Sequence, residues 1–234
     1  MTAGTVLAVC RVHQLHPTRD TVGVTAIDKR PVDGPVHVYD LGLTGDVQVS
    51  RRHHGGETKA VYAYSQADAD YWAAELGREI PPGLFGENLR VAGIDASNAL
   101  VGERWRIGGT LELEVTGPRT PCRNFQDRMG EPRFTARFTQ AARTGAYLRV
   151  LKAGPVAAGD AVEVLSKPAH GVSIAQVFRG PDEDQIQALF DAGRAGLKLA
   201  PELVRSLRRA SRRNAAAADV GPAVEAAADP AARA

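Results

Sequence analysis

The residues best suited to metal binding or catalysis lie in one stretch, GPRTPCRN, at residues 117–124. Its glycine and two prolines predict a constrained loop rather than a helix. Arg119 and Arg123 flank Cys122, and positive charge close to a thiol favours the thiolate form. A thiolate on a stiff loop suits a soft metal ligand or a nucleophile. The other interpretation is a small buried residue that packs like alanine, and this stretch alone does not decide between them.

A second stretch, RRHHGGETK at residues 51–59, has the composition of an anion-binding turn. Gly55 and Gly56 would allow backbone N–H groups to approach an anion closely, and Lys59 adds a positive charge. The pattern does not favour zinc, because adjacent histidines rarely point at one metal ion and the chain has no His-Glu-x-x-His motif. The alternative is a solvated turn that precedes a strand.

A third stretch, FGENL at residues 85–89, follows a proline-rich loop. Glu87 is a candidate general base, and Asn88 is a candidate anchoring amide. The alternative is that both side chains only satisfy backbone groups of the loop. The second cysteine of the chain, Cys10, lies within a β-rich run, where packing inside a strand is the expected role.

Short β-rich runs bounded by turn residues dominate the first two thirds of the chain. The predicted strands cover residues 5–13, 22–27, 36–41, 60–64, 104–107, 111–116, 147–151 and 161–165. Many short strands with few helices predict a mostly β fold of the α+β class, with a barrel-like core over residues 1–168.

One helix interrupts these strands. Ser65 is a suitable N-cap residue, Asp68 three positions later resembles a capping box, and Gly77 is placed to end the helix.

The pattern becomes helical after residue 168. Helical periodicity covers residues 172–178, 185–192 and 201–213, which predicts a three-helix extension over residues 169–213. The alanine-rich residues 214–234 contain few large apolar side chains, and we expect them to form a disordered tail.

The composition narrows the class of protein. The 234 residues carry a net charge of only +2, with 44 % hydrophobic and 24 % charged residues, so charge does not imply a nucleic-acid polymer as partner. There is no secretory signal pattern and no apolar run of about 20 residues. Two cysteines do not make a disulfide scaffold. We therefore expect a soluble, cytoplasmic, bacterial protein with no membrane partner.

Six stretches together carry a family resemblance: IDKRPVDGPV (27–36), GLTGD (42–46), HHGGETKAVYAY (53–64), FGENL (85–89), PRTPC (118–122) and GAYLRVL (145–151). Their order and spacing resemble the MOSC domain, in particular its bacterial YiiM-type branch. The resemblance covers about residues 4–165, and the helical segment after it resembles the extension that follows the domain in that branch.

This resemblance implies a barrel-like domain that binds the molybdenum cofactor, a pterin with a phosphate tail. It implies that Cys122 ligates molybdenum. The expected cofactor-binding residues are Lys29, Arg30, His54, Gly55, Gly56, Lys59, Asn88, Arg119, Thr120 and Arg149. The candidates for delivering protons beside the metal are Asp46, Glu87 and His54.

The resemblance also implies an activity, the reduction of N-hydroxylated compounds such as hydroxylamino-purines or amidoximes. The chain shows no haem, flavin or iron–sulfur motif, so we expect a separate electron-donating reductase besides the small-molecule substrate. One alternative is a carrier module for sulfurated molybdenum cofactor, without pyridoxal phosphate, and another is a metal-free barrel with an inert Cys122. The three helices could form a homodimer, cover the barrel or recruit the reductase.

Overall fold

The computed structural model describes residues 3–18, 22–49 and 55–219. The strands are β1 (Ala3–Pro17), β2 (Val24–Pro31), β3 (Val36–Tyr39), β4 (Gly42–Leu43), β5 (Val61–Ser65), β6 (Leu89–Ala92), β7 (Arg104–Ile107), β8 (Leu111–Pro118), β9 (Ala146–Lys152), β10 (Gly154–Val156) and β11 (Ala161–Ser166). The helices are α1 (Gln66–Leu76), α2 (Arg123–Met129), α3 (Phe134–Ala141), α4 (Ile174–Arg179), α5 (Glu183–Arg194) and α6 (Pro201–Asp219), and a short 3-10 helix covers Glu57–Lys59.

Seven strands close into a barrel in the order β1-β6-β5-β9-β8-β7-β11, with β11 pairing back onto β1. In the closing pair Gly4 lies opposite Val162, in antiparallel register. The β5–β6 pair is parallel and the other pairs around the barrel are antiparallel. Closure removes the edges that an open sheet would present. The sequence-based prediction of a mostly β, barrel-like fold is confirmed.

Strand β2 lies outside the closed barrel and pairs only with the second half of β1, from Cys10 opposite Pro31 to Pro17 opposite Val24. The hairpin of β1 and β2 therefore extends beyond the barrel and forms one side of a cleft. Strands β10, β3 and β4 form a separate small sheet.

Side chains alternate between two cores along β5, because successive residues of a strand point to opposite faces. Val61 and Ala63 belong to the core inside the barrel. Tyr62 and Tyr64 belong to a second, aromatic core on the other face. Helices α1, α2 and α3 cover that face with Trp72, Phe125, Phe134 and Phe138. The aromatic core thus fixes the loop before α2, which carries Cys122, against the barrel.

The capping box predicted at the start of α1 is wrong, although Ser65 does precede the helix and Gly77 does end it in the left-handed conformation. The Ser65 hydroxyl instead accepts a hydrogen bond from the backbone N–H of Ala96, 2.7 Å away. The Asp68 carboxylate binds Ser97 and Arg143. Tertiary partners have replaced the local ones because both side chains are buried.

The three C-terminal helices pack together and onto the barrel core. Capping boxes begin α4, at Ser173, and α5, at Asp182. Leu203 and Leu207 of α6 are buried in the barrel core cluster. Helix α6 continues to Asp219, past the position where the sequence predicted a disordered tail to begin. Residues 220–234 of that predicted tail lie outside the described part of the chain. None of the helices that the structure describes is both long and apolar enough to cross a bilayer.

Candidate functional site

A cavity of about 710 Å³, which we call the Cys122 cavity, opens between the β1–β2 hairpin and the loop of residues 119–124. The aliphatic part of its lining, which we call the apolar wall, comes from β2, the segment just before it and the segment after β4. Its side chains are Val22, Val24, Ile27, Val47 and Val49. Cys122 and most of the polar lining groups come from other elements. Such a division suits a ligand with both a flat apolar part and a charged part.

The charge in the cavity is predominantly positive. Among the residues that the structure describes, four cationic side chains line it, namely Lys29, Lys59, Arg119 and Arg123, against the two carboxylates of Asp46 and Asp127. Lys29 pairs with Asp46, and Arg123 lies 3.8 Å from Asp127. The excess positive charge favours an anionic ligand.

Cys122 is half-buried, lines the cavity and has extended backbone immediately before α2. The two arginines that flank it in sequence have different surroundings. The Arg123 side chain is mostly exposed. The Arg119 side chain is only 4 % exposed, and its guanidinium lies 3.6 Å from the ring centroid of Phe125. The aromatic core therefore holds one arginine rigidly beside Cys122.

Arg119 is a buried cation without a carboxylate partner among the residues that the structure describes. Its guanidinium also lies 5.9 Å from the ring centroid of Tyr62, and its positive charge opposes the burial that raises the pKa of Tyr147. Its Nη1 is buried and has no hydrogen-bond partner in the structure. Because an unpaired buried donor is costly, this nitrogen marks a place where an anionic ligand would be stabilised.

Asp46 organises a polar network on the cavity wall. Its Oδ2 accepts hydrogen bonds from Lys29 and from the Asn88 amide, the latter at 2.8 Å. Its Oδ1 accepts one from the backbone N–H of Val12, 2.9 Å away. The Asn88 side-chain oxygen in turn accepts a hydrogen bond from the Tyr62 backbone. Asp46 and Asn88 thus both line the cavity, and Asp46 holds Lys29 in place.

The glycine pair does not line the cavity within the described part of the structure. The Gly56 N–H, which was expected to bind an anion, donates instead to the Gln48 side chain at 2.8 Å. Gln48 donates back to the carbonyl oxygen of Lys59. Gly56 therefore caps the short 3-10 helix that carries Lys59, and Lys59 itself reaches the cavity.

Glu87 lies outside the cavity, although it was predicted as a proton-delivering residue. Glu87 and Arg90 are both fully buried and form an ion pair. The other oxygen of Glu87 accepts a hydrogen bond from the Phe85 N–H at 3.1 Å. The carboxylate holds the loop in shape, and this is the alternative that the sequence left open.

A close approach of the backbone explains the turn before Glu87. Gly83 has a φ of +86°, and a Cβ at this position would lie 2.3 Å from the carbonyl oxygen of Lys29. The loop can therefore pack directly against β2.

Two of the predicted cofactor-binding arginines also lie outside the cavity as the described residues define it. Arg149 pairs with Glu114, at 3.3 Å, and donates to the backbone carbonyl of Lys198 in the helical extension. The Arg30 side chain is 58 % exposed and lies 3.4 Å from Asp28. Arg149 therefore joins the barrel to the helical extension, whereas Arg30 pairs within its own strand.

Of the remaining predicted residues, Thr120 lines the cavity and is exposed. His54 lies outside the described residues. The structure thus brings together Cys122, Arg119, Thr120, Lys29, Lys59, Asp46 and Asn88.

Sequence reasoning missed Tyr147, Tyr62 and Gln48, which all line the cavity. The two tyrosine rings lie 5.2 Å apart, and burial raises the pKa of both phenols despite the opposing charge of Arg119. A signal for Tyr147 was available. It lies on the same strand face as Arg149, which was predicted as a cofactor-binding residue. Tyr147 is nearer the loop end of β9 and could have been chosen instead of Arg149. No comparable signal marks Gln48.

The helix behind Cys122 is anchored through Asp28 of β2. The Asp28 carboxylate lies 2.7 Å from Arg128 of α2 and 3.1 Å from His16. Burial disfavours its charged form, but the hydrogen bond to His16 and the charge of Arg128 outweigh burial and lower its pKa. The ion pair therefore fixes α2, and Cys122 before it, to the cavity wall.

The two cysteines have opposite surroundings. Cys10 is fully buried behind the wall, and burial raises its pKa to about 12. Cys122 is accessible from the cavity. The described residues contain no group of three or more His, Cys, Asp or Glu side chains that could hold a metal ion. A metal at Cys122 would need ligands that a cofactor brings with it.

Residues 50–163 match the model of the MOSC domain. YiiM of Escherichia coli is 31 % identical to this chain over 181 residues, which cover 74 % of this chain and 79 % of that protein. YflK of Bacillus subtilis is 35 % identical over 150 residues, which cover 64 % of this chain and 67 % of that protein. The chain belongs to the MOSC domain family. Within that family it is a YiiM-type protein.

Solved structures agree with this assignment at the level of the fold. The crystal structure of YiiM from Geobacillus stearothermophilus has a TM-score of 0.70 at 23 % identity and covers 88 % of this chain and 98 % of that one. YiiM from Escherichia coli has a TM-score of 0.66 at 22 % identity, with 91 % and 94 % covered.

One relative is named as an enzyme. A protein of Gibberella moniliformis named Reductase is 34 % identical over 158 residues, but these cover only 28 % of that protein. MOSC domains as a class are associated with binding of the molybdenum cofactor.

Proposed function

We propose that this protein binds the molybdenum cofactor in the Cys122 cavity, with Cys122 as the metal ligand, and reduces N-hydroxylated compounds to amines. The observation that carries the proposal is that an accessible thiol and a buried, unpartnered guanidinium nitrogen line the same cavity. Thiolates are preferred by soft metals, and guanidinium groups bind phosphate or other anionic oxygens.

The residues on the wall fit such a cofactor. Arg119 would bind its anionic groups with little movement, because the ring of Phe125 already holds the guanidinium. Lys59 and Lys29 would supply further positive charge, and Asn88 and Gln48 would help to keep these cations in place. Bound there, the cofactor would supply two-electron oxygen-atom-transfer chemistry.

The reaction consumes two electrons and two protons. The N–O bond of the substrate R–NH–OH breaks, the electrons are taken up by the separating atoms, and the products are R–NH₂ and water. A separate reductase that carries a reduced flavin or iron–sulfur centre would provide the electrons. The Reductase of Gibberella moniliformis is much longer than its matched segment. That length is compatible with a domain of this kind working together with an additional redox component.

The protein's own contribution is to bind, orient and exclude water. The apolar wall that includes Val24 and Ile27 would hold the flat part of an aromatic substrate against the side that carries Cys122. Asp46 lines the cavity and is therefore our candidate for delivering protons there. Its three hydrogen bonds give it a positioning role towards Lys29 and Asn88.

The test compares Cys122→Ser with Cys10→Ala, a control that changes the cysteine outside the cavity. Each protein is produced in cells that make the cofactor, analysed for molybdenum, and assayed with a hydroxylamino-purine and reduced methyl viologen. We expect near-stoichiometric metal and amine formation in the wild type and in Cys10→Ala. Both should be lost in Cys122→Ser.

Two results would contradict the proposal. Full reduction by Cys122→Ser would exclude the thiolate as an essential ligand. Molybdenum in the wild type without turnover of any N-hydroxylated compound would favour a cofactor carrier instead.

A further inference from the structure

The outer face of α6 is a row of arginines. Arg205, Arg208, Arg209, Arg212 and Arg213 recur at the spacing i, i+3, i+4, i+7 and i+8, which places them on one side of the helix. All five side chains are exposed. We call this surface the arginine face.

The rest of α6 fixes the direction of this face. Leu203, Leu207 and Ala210 are buried in the barrel core cluster, so the arginines point away from the protein. Within the described part of the chain, none of the five guanidinium groups forms an ion pair with a carboxylate. The one carboxylate in the first turn, Glu202, is bound elsewhere. Five like charges within three turns repel one another, and an external partner with negative charge would relieve that repulsion.

Helix α6 also touches the wall of the Cys122 cavity. Glu202 accepts a hydrogen bond from the Thr58 hydroxyl at 2.8 Å and lies 3.7 Å from the Lys59 ammonium. Lys59 lines the cavity. The arginine face therefore begins one turn from a residue that contacts the cavity wall, and a protein docked on it would lie beside the proposed redox site.

We propose that the arginine face docks the carboxylate-rich surface of the protein that donates electrons to the Cys122 cavity. This proposal rests on the proposed function, because only a redox site needs such a donor. Guanidinium groups pair with carboxylates through two parallel hydrogen bonds, so a row of arginines gives orientation as well as attraction.

An acidic protein suits this surface better than the other polyanions. The whole chain has a net charge of only +2, whereas a nucleic-acid-binding domain is usually strongly basic over a larger surface. Insertion of α6 into a membrane interface would require apolar side chains next to the basic ones. The leucines of α6 are buried in the core instead.

The experiment uses the cofactor-loaded protein and an acidic flavodoxin as the probe. The variant is Arg208→Glu/Arg209→Glu/Arg212→Glu, and the second variant replaces the same residues with glutamine. The control changes charge equally at exposed sites outside α6: Lys152→Glu/Lys167→Glu/Arg179→Glu. Binding of flavodoxin is measured by titration calorimetry at low and high salt, and turnover is measured with reduced flavodoxin and with reduced methyl viologen.

We expect the glutamate variant to bind flavodoxin about tenfold or more weakly than the wild type, with an intermediate loss for the glutamine variant. High salt should weaken wild-type binding, because exposed charges are screened. Turnover with methyl viologen should stay at the wild-type level in all variants. The control should bind flavodoxin nearly as the wild type does.

Three outcomes would overturn the docking proposal. They are no salt-dependent binding of flavodoxin to the wild type, an equal loss in the control, and tighter binding of duplex DNA or anionic vesicles through the same arginines. Absence of turnover with methyl viologen in the wild type would instead contradict the proposed function, so the two failures are distinguishable.

Discussion

Two buried arginines lie in opposite electrostatic surroundings. Arg90 and Glu87 are both fully buried and form an ion pair, and the Arg90 guanidinium also donates to Gln66 and to the carbonyl oxygens of Ile80 and Pro81. Arg119 is almost as buried but stacks on an aromatic ring and leaves Nη1 without a partner.

The difference separates a structural cation from a ligand-binding one. The protein itself satisfies Arg90, so this charge stabilises only the loop around it. Arg119 has no carboxylate partner in the described structure and retains an unpaired donor at the Cys122 cavity. A buried charge that the fold leaves unpaired is expected to be compensated by a ligand.

The largest expected effect belongs to Arg90. Arg90→Met would leave the Glu87 carboxylate buried without its partner, and we expect it to lower the free energy of unfolding by about 3–5 kcal/mol. Urea denaturation of the ligand-free protein measures this loss. The double variant Glu87→Leu/Arg90→Met removes both charges and should recover part of it. A loss below about 1 kcal/mol in the single variant would contradict the structural role of this pair.

A smaller effect is expected at Asp28, whose partner Arg128 anchors α2. Asp28→Asn should lower the free energy of unfolding by about 1–3 kcal/mol at pH 7, since a charge-assisted hydrogen bond is lost.

The same substitution has a defined pH dependence. The pKa of Asp28 is lowered in the folded protein, so its stabilisation is present above the unfolded value of about 3.9 and is lost as the pH falls through the folded pKa. The difference between wild type and Asp28→Asn should therefore shrink below about pH 4. Denaturation curves recorded from acid to neutral pH measure this difference in the free energy of unfolding. A difference that grows as the pH falls would contradict the prediction.

Arg119 should behave differently from Arg90. Arg119→Met keeps apolar contact with Phe125 and removes an unpaired charge, so the ligand-free protein should change in stability by less than about 1 kcal/mol or become more stable. Inorganic phosphate should raise the melting temperature of the wild type more than that of the variant. The comparison between the two arginines fails if Arg119→Met destabilises the protein as much as Arg90→Met, or if phosphate stabilises both proteins equally.

The smallest effect is expected for the ion pair between Lys59 and Glu202. The two side chains are partly exposed and 3.7 Å apart. Glu202→Gln can keep the hydrogen bond from Thr58 and should change the free energy of unfolding by less than about 0.5 kcal/mol. Urea denaturation with Glu183→Gln of α5 as the control tests this. A loss above about 2 kcal/mol would show that the extension supports the cavity wall more strongly than the contact distance implies.

Much of the fold was predictable because it depends on local patterns. The hairpin of β7 and β8 follows from two β-rich runs around Gly108 and Gly109, and the structure pairs Ile107 with Leu111 there. The helical extension was predicted from its periodicity. The end of α6 was missed, because alanine favours helix even where a segment has few large apolar residues.

The site was predictable in part. Cys122, Arg119, Lys59 and Asn88 could be proposed from constrained loops that carry polar or charged residues, and the structure places all four on the cavity wall. Whether Cys122 holds a metal remains a prediction.

What the sequence by itself determined is the set of residues able to do chemistry and the strands and loops that carry them. Only the tertiary structure decided which of them share a cavity. Glu87 forms an ion pair with Arg90, and Arg149 pairs with Glu114 and contacts the helical extension. Tyr147 lines the cavity. The physical reason is that barrel closure brings together residues far apart in sequence, such as Arg149 and Glu114. Burial also favours an opposite charge for each buried charge, even three residues away as for Glu87 and Arg90.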